Sequence, residues 1–355
     1  MCSDPLPEAG PEILWKGQYG MIADVTMNLP EVPNAEECDR FQDEAPPLTM
    51  EGIFFPLGFP LRVCTNSEEV LRQCAAKWGM FARRTHDRPM EADIHVLESD
   101  SIQCPPPTRC HFMGNVLVMV ADTQNVCTVD FPWGKTRMVV STAALRYPHY
   151  FNQTFLEAAP ACQLCTRFAT PIHAACVVLD GRGVLLCGDS GAGKSSLSYA
   201  CARAGWQFVS DDTSYILHSE TARRVIGNYH QFRFRPSAAE LFPEIAHAEM
   251  TPRMSGKPSV ELPTASMEHV RTADGAHVDF VVYLNRRHSA SLDLVPYSKD
   301  AARRYMRRVL FGAPETRIVR HAAIERLLTA EVLELRYQSL GLAVRRLEQM
   351  VREES

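Results

Sequence analysis

The sequence lacks three features that would each assign it to a broad class. It has no apolar run near the roughly eighteen residues that a membrane span needs, so we expect no membrane partner. It has no basic excess, because 37 lysines and arginines stand against 42 acidic residues, and this argues against general nucleic-acid binding. It has no secretory n-region and h-region at the N-terminus, so we expect a cytoplasmic protein.

The twelve cysteines lack the spacing of a disulfide framework or of a complete zinc site. They are spread over 355 residues, and we expect most of them to be reduced side chains of the core. Cys162 and Cys165 form a C-x-x-C pair, but no second Cys or His pair at zinc-ligand spacing follows them. We therefore interpret this pair as buried packing within a helix.

Composition divides the chain into three parts. Residues 1–50 are rich in proline and acids, which predicts a poorly ordered arm. Residues 51–150 contain short apolar runs between turn residues and one helix start at Thr65-Asn66-Ser67-Glu68, which predicts a smaller, mainly β accessory domain of α+β type. Residues 151–355 alternate strands with helices, which predicts an α/β domain with a sheet covered by helices. The predicted C-terminal helices are Lys299 to Leu310, His321 to Leu333 and Leu340 to Arg352.

Residues 188–195 match the phosphate-binding loop pattern Gly-x-x-x-x-Gly-Lys-[Ser/Thr]. The apolar run Gly183 to Cys187 before the loop predicts a buried strand, and the residues after the loop predict a helix. In such loops the backbone N–H groups surround phosphates, the lysine reaches the outer phosphates and the hydroxyl ligates magnesium. We therefore expect a nucleoside triphosphate with Mg²⁺ as the ligand. The predicted nucleotide-binding residues are Gly188, Asp189, Ser190, Gly191, Ala192, Gly193, Lys194, Ser195 and Ser196.

Two acids, Asp211 and Asp212, follow the next apolar strand, seventeen and eighteen residues beyond Lys194. Carboxylates at the C-terminal end of such a strand lie in the crevice where open α/β sheets bind ligands. One of the two can hold magnesium together with Ser195, while the other can accept a proton from an attacking hydroxyl. A turn or helix cap is the alternative role for an Asp pair.

His173 lies fifteen residues before Gly188, and a lone histidine at a strand start is more often structural than catalytic. The string from His173 through the loop to the acid pair, however, resembles the HPr kinase/phosphorylase family. These are bacterial serine kinases with a catalytic core similar to that of phosphoenolpyruvate carboxykinase. The resemblance implies an ATP-dependent kinase acting on a serine hydroxyl of a protein or peptide. It also implies Asp211 as general base, Asp212 and Ser195 at the metal, and His173 near the acceptor and the γ-phosphate. Hexamers occur in that family, so a homo-oligomer is also implied, although the sequence leaves it open.

The resemblance ends after the acid pair. The family has a Glu-containing signature and a Gly-rich loop there, whereas this chain continues with a different segment at residues 226–236. The phosphoryl acceptor and any reverse phosphorylase reaction therefore stay open. Two other functions also stay open, a nucleotide-sensing regulatory module with little turnover and a small-molecule kinase.

Arg233 and Arg235 alternate with phenylalanines, which places both guanidinium groups on one face of a predicted strand. That face would suit a phosphate or an acidic substrate, and it would equally suit solvent. Lys257, in a stretch rich in Gly, Ser and Pro, is a weaker candidate for the same site.

Overall fold

The computed structural model describes residues 45–251, 258–286, 292–310 and 314–353. The arm predicted for residues 1–50 lies almost wholly outside this part of the chain, and so does the candidate Lys257. The described residues form a mixed α/β structure that contains three sheets. None of the helices in these ranges is both long and apolar enough to cross a membrane.

The first sheet is built from segments in which buried and less buried residues alternate. Every second residue of its third strand is buried, because successive side chains of a strand point to opposite faces and one face packs on the core. The elements are β1 (Met50–Phe54), β2 (Leu61–Thr65), α1 (Glu68–Trp78), β3 (Met90–Leu97), β4 (Arg109–Met113), β5 (Val116–Asp122), β6 (Asn125–Asp130) and β7 (Lys135–Ser141). The strand order is β1-β2-β3-β7-β6-β5-β4, with β2, β3 and β7 parallel.

A helical segment packs on this first sheet. It comprises α2 (Thr142–Leu145), α3 (Pro148–Phe151), a π-helix (Asn152–Glu157) and α4 (Ala158–Arg167). Phe155 and Leu164 belong to the same buried cluster as Val63 and Val140 of the sheet. Residues on both sides of positions 150 and 151, where the sequence predicted a domain boundary, therefore pack in the same cluster.

The rest of the described chain forms two further sheets and their covering helices. The strands are β8 (Ala169–Ile172), β9 (Ala174–Leu179), β10 (Arg182–Cys187), β11 (Gln207–Ser210), β12 (Ser214–Leu217), β13 (Arg224–Gly227), β14 (Gln231–Phe234), β15 (Met250–Thr251), β16 (Ser259–Pro263), β17 (Arg271–Thr272), β18 (Ala276–Asn285), β19 (Asp293–Pro296) and β20 (Glu331–Arg336). The helices are α5 (Lys194–Arg203), α6 (Lys299–Arg307), α7 (Pro314–Leu327) and α8 (Leu340–Glu353). Strands β14, β16 and β15 form the small third sheet.

The second sheet brings the ends of several strands to one edge. Strand β10 pairs antiparallel with β9, so Cys187 at the end of β10 lies opposite Ala174 at the start of β9. Strands β10, β18 and β20 are parallel, so their C-terminal ends also lie at this edge. Strand β11 pairs with β9 through Ser210 and Cys176, so the residues after β11 approach the same edge. The loop that follows β10 therefore begins where these chain ends meet.

Both faces of the second sheet are covered by helices. Leu185 and Leu186 are neighbours in β10 but belong to different buried clusters, one formed with α6 and α7 and the other with α5 and α8. A sheet that is buried on both sides needs nearly continuous apolar strands, which explains the composition of β10 and β18. The prediction that this part of the chain is α/β, with helices covering a sheet, is confirmed.

One C-terminal prediction is wrong. The helix predicted from His321 to Leu333 is α7, which ends at Leu327, and Glu331–Arg336 is strand β20. Val332 pairs with Val281 of β18 in this strand. Among the described residues, six further strands were not predicted: β4, β8, β15, β16, β17 and β19.

Candidate phosphate-binding site

Residues 188–193 connect β10 to α5 as a tight loop whose glycines are required by the geometry. Gly193 precedes α5 with a φ of +102°, and a Cβ there would lie 2.8 Å from the Tyr337 hydroxyl oxygen. Gly188 has a φ of +156°, and a Cβ there would lie 2.7 Å from the Cβ of Ala192. A larger residue at either position would be strained and would collide with its neighbour. Glycine is therefore the residue that fits best at both positions of this loop.

Lys194 is the first residue of α5, and its side chain is only 5% exposed. Its ammonium donates to the carbonyl of Gly188 at 2.8 Å and lies 2.9 Å from Nε2 of His173. Burial lowers the pKa of Lys194, whereas the nearby carboxylate of Asp212 opposes that effect. The lysine thus lies inside the loop, where a phosphate oxygen could replace a carbonyl as its partner.

His173, between β8 and β9, lies between Lys194 and Asp212. Its Nδ1 is 3.4 Å from Oδ1 of Asp212. Burial lowers the pKa of His173, so the neutral ring is favoured. When the lysine ammonium donates to Nε2, the single ring proton lies on Nδ1, toward the carboxylate. Three side chains that are far apart in the sequence therefore converge at the loop.

Asp211 is oriented differently from Asp212. It is 4% exposed, and its Oδ2 accepts the backbone N–H of Arg233 at 2.6 Å. Burial, and then the charge of Asp212, raise the pKa of Asp211 to about 7. The Ser195 hydroxyl lies 3.5 Å from the main-chain oxygen of Asp211. Asp212 is thus the carboxylate beside His173, and Asp211 is the one held by β14.

The donors present fit the magnesium site that the sequence predicts. Magnesium in nucleotide sites keeps several waters and takes only one or two protein oxygens besides the phosphates. Ser195 and Asp212 supply a hydroxyl and a partly exposed carboxylate at the loop. No cluster of three or more His, Cys, Asp or Glu suited to a metal ion occurs in the described ranges, so a metal held by protein ligands alone is not indicated there.

Arg233 is held mainly by carboxylates. Its side chain is 12% exposed and lies between two of them, with Nε 2.9 Å from Glu261 and Nη2 3.6 Å from Glu157. It is therefore largely shielded from solvent, whereas Arg235 is exposed. Glu157 also lies 2.7 Å from Lys77, so a row of ion pairs links helix α1 to β14.

Tyr305 of α6 contacts the start of the loop, and the sequence did not predict it as a residue of the site. Its hydroxyl lies 2.5 Å from the Gly188 carbonyl and 3.0 Å from the His173 carbonyl, and the Gly188 N–H donates to it at 3.1 Å. It therefore holds the start of the loop against His173, at the junction of β8 and β9. No sequence signal marks this residue, because it lies in an ordinary amphipathic helix more than a hundred residues from the loop.

Cys162 and Cys165 lie in α4, as predicted. Burial raises the pKa of both thiols, to about 12 for Cys165, so they are protonated at neutral pH. Their role as packing residues in a helix is consistent with this environment.

No family model matches this chain, and no curated protein matches it significantly. A solved structure, that of the HPr(Ser) kinase/phosphatase from Coxiella burnetii, matches 52% of this chain and 95% of its own, at 16% sequence identity and a TM-score of 0.28. A TM-score of that size is too low to support an argument about fold or activity. Any functional assignment therefore depends on the residues around the loop.

Proposed function

We propose that this protein is an ATP-dependent kinase of the HPr-kinase type, which transfers the γ-phosphoryl group to a serine hydroxyl of a protein or peptide. The observation that carries the proposal is the convergence of Lys194, His173 and Asp212 at the phosphate-binding loop. A loop that served only as a structural turn would not need a buried lysine, a histidine and a carboxylate around one point.

Transfer would depend mainly on positioning and charge neutralisation. The loop N–H groups would hold the phosphates, and Lys194 would exchange its bond to the Gly188 carbonyl for a phosphate oxygen. Ser195 and Asp212 would hold magnesium, which when bound neutralises phosphate charge. The Asp211 carboxylate, fixed by the Arg233 amide, would accept the proton of the acceptor hydroxyl, and His173 would lie near the γ-phosphate.

A nucleotide-sensing module with little turnover is the second candidate. The observation that favours it is the burial of Asp211, which is 4% exposed and already accepts a hydrogen bond. A base that is shielded in this way must be uncovered before an acceptor hydroxyl can reach it.

The test uses ATP labelled at its γ-phosphate, magnesium, and separate polypeptide and metabolite fractions as acceptors. We expect label in a polypeptide. We expect Asp211→Asn to bind ATP like the unmodified protein and to transfer no label, because an amide cannot accept the proton. Asp100→Asn, an exposed acid of the first part of the chain, is the control and should behave like the unmodified protein.

Binding without any transfer would favour the sensing module, and label in a metabolite would favour a small-molecule kinase. Full transfer by Asp211→Asn would remove Asp211 as the base and leave the kinase assignment in place.

A further inference from the structure

A cavity of about 300 Å³ lies next to the start of the phosphate-binding loop. Gly188 and Asp189 form one side of it, and the ends of β18 and β20 together with α6 form the remainder. The side chains that line the cavity include Tyr283, Asn285, Tyr297, Arg304, Arg308 and Glu334. None of them has a role in the proposed phosphoryl transfer.

The position of the cavity follows from the strand order. The sequence of neighbours is β11-β9-β10-β18, and β20 pairs with β18 on the far side. The acid pair after β11 therefore lies on one side of the loop, and the cavity lies on the other. A triphosphate with its outer phosphate at Lys194 and its inner phosphates along the loop would direct the rest of the molecule toward β18.

The cavity walls carry the groups that bind an aromatic base. Tyr297 is half-buried and stacks on Tyr283, with ring centroids 4.4 Å apart and an interplanar angle of 18°. Aromatic side chains of this kind are platforms on which bases stack. Asn285 donates to Glu334 at 2.5 Å, so the cavity wall also carries an amide and a carboxylate, which are bonded to each other.

Two arginines lie at the mouth of the cavity. Arg304 and Arg308 are exposed on and just after α6, and Nη1 of Arg308 is 3.4 Å from the Asp189 carboxylate. Guanidinium groups bind phosphate oxygens with good geometry. The charge therefore lies where the inner phosphate of a nucleotide would leave the loop.

We propose that this cavity binds the base and ribose of the nucleoside triphosphate, with Tyr297 stacking on the base. The inference rests on the proposed function, because it assumes that the loop binds the phosphates of the same molecule. It makes Tyr297 a residue that distinguishes a nucleotide from a bare phosphate chain.

The test compares magnesium-ATP with magnesium tripolyphosphate, which has the phosphates but no base or ribose, by titration calorimetry. The unmodified protein should bind ATP about tenfold or more tightly than tripolyphosphate, the difference that one stacked base supplies. Tyr297→Ala should raise the Kd for ATP about tenfold and leave the Kd for tripolyphosphate nearly unchanged. Tyr297→Leu, which keeps apolar bulk at the site, should have the same effect and serves if the alanine variant does not fold. Tyr147→Ala, at an exposed tyrosine of the first part of the chain, is the matched control.

Equal affinity of the unmodified protein for the two ligands would overturn the inference. Equal weakening of both ligands by the Tyr297 variants, or weakening of neither, would also overturn it while leaving ATP binding at the loop intact. A protein that binds neither ligand would contradict the proposed function as well, so the two failures are distinguishable.

Discussion

Lys194 is a buried cation whose hydrogen-bond partners include loop carbonyls and a histidine. Such a residue costs stability in the free protein and gains strong partners only when phosphate oxygens arrive. Activity and stability are therefore expected to respond in opposite directions to its removal.

Lys194→Met should weaken magnesium-ATP binding by about 100-fold, because a charge-assisted contact to the phosphates is lost. The melting temperature should be unchanged or higher, since a desolvated charge is removed. Calorimetry and thermal melts measure the two effects. Lys135→Met is the control, because it removes a lysine whose ammonium lies 2.7 Å from Asp93 in the first sheet. A Lys194 variant that binds ATP normally would contradict this role.

His218 predicts a pH dependence of stability. Burial lowers its pKa from 6.5 to about 4, with Arg320 and Arg326 of α7 adding to the effect, and its Nε2 lies 2.9 Å from the Thr170 hydroxyl. Between these two pH values the unfolded chain binds more protons than the folded one, so stability should fall as the pH drops from 6.5 to 4. We expect the free energy of unfolding to fall by about 2 kcal/mol over this range. This is less than the full pKa shift would give, because the ring is partly exposed.

Urea unfolding at a series of pH values measures this loss. His218→Gln, which cannot titrate, should have a flatter profile over the same window. Parallel profiles for the two proteins would show that another group is responsible.

The sequence predicted those residues of the candidate site that have a fixed spacing within one sequence motif. Lys194, Asp212 and His173 were each predicted at the nucleotide site, and their side chains lie close together. Tyr305 and the partners of Arg233 were not predictable, because they depend on contacts between segments that are far apart in the sequence.

The loop between β10 and α5 is the element whose shape depends most on residue type. Gly193→Ala should destabilise the fold by about 1–3 kcal/mol through its positive φ, and should also weaken ATP binding because the new methyl group meets the Tyr337 hydroxyl. Gly181→Ala is the matched control, since Gly181 has a φ of +80° and open space around it.

Chemical denaturation and ATP titration of the two variants separate the effects. Both variants should lose stability, and only Gly193→Ala should lose ATP affinity. Equal loss of affinity in both variants would mean that backbone strain anywhere in this half of the chain disturbs the site.

Strand β20 shows how a short segment beside a helix can be assigned to the wrong element type. Only three residues separate its six residues from the end of α7, and a segment this short fits a helix or a buried strand equally well. Pairing with β18, fifty residues earlier in the chain, decides in favour of the strand. Strand β10 is also six residues long, but it precedes the phosphate-binding loop pattern, and it was predicted.

A row of ion pairs connects helix α1 to the third sheet through Lys77, Glu157, Arg233 and Glu261. All four side chains are at most 22% exposed, so removing one charge leaves a poorly hydrated partner behind. These ion pairs hold the two parts of the molecule together at β14, the strand whose backbone N–H binds Asp211.

Glu157→Gln should lower the free energy of unfolding by about 3 kcal/mol, because Lys77 and Arg233 would both lose a carboxylate. Glu69→Gln removes half of a more exposed pair with Arg72 and should cost less than about 1 kcal/mol. Urea unfolding of both variants measures the difference. Equal costs for the two substitutions would show that the buried row of ion pairs contributes no more than a surface pair.

The Tyr305 hydroxyl has a single proton and two carbonyls within reach, those of Gly188 and His173. Only one of them can receive that proton at any moment. Rotation of the hydroxyl about its C–O bond passes the proton from one carbonyl to the other. The start of the loop and His173 thus share one hydrogen-bond donor, and a ligand that displaced either carbonyl would leave that proton to the other.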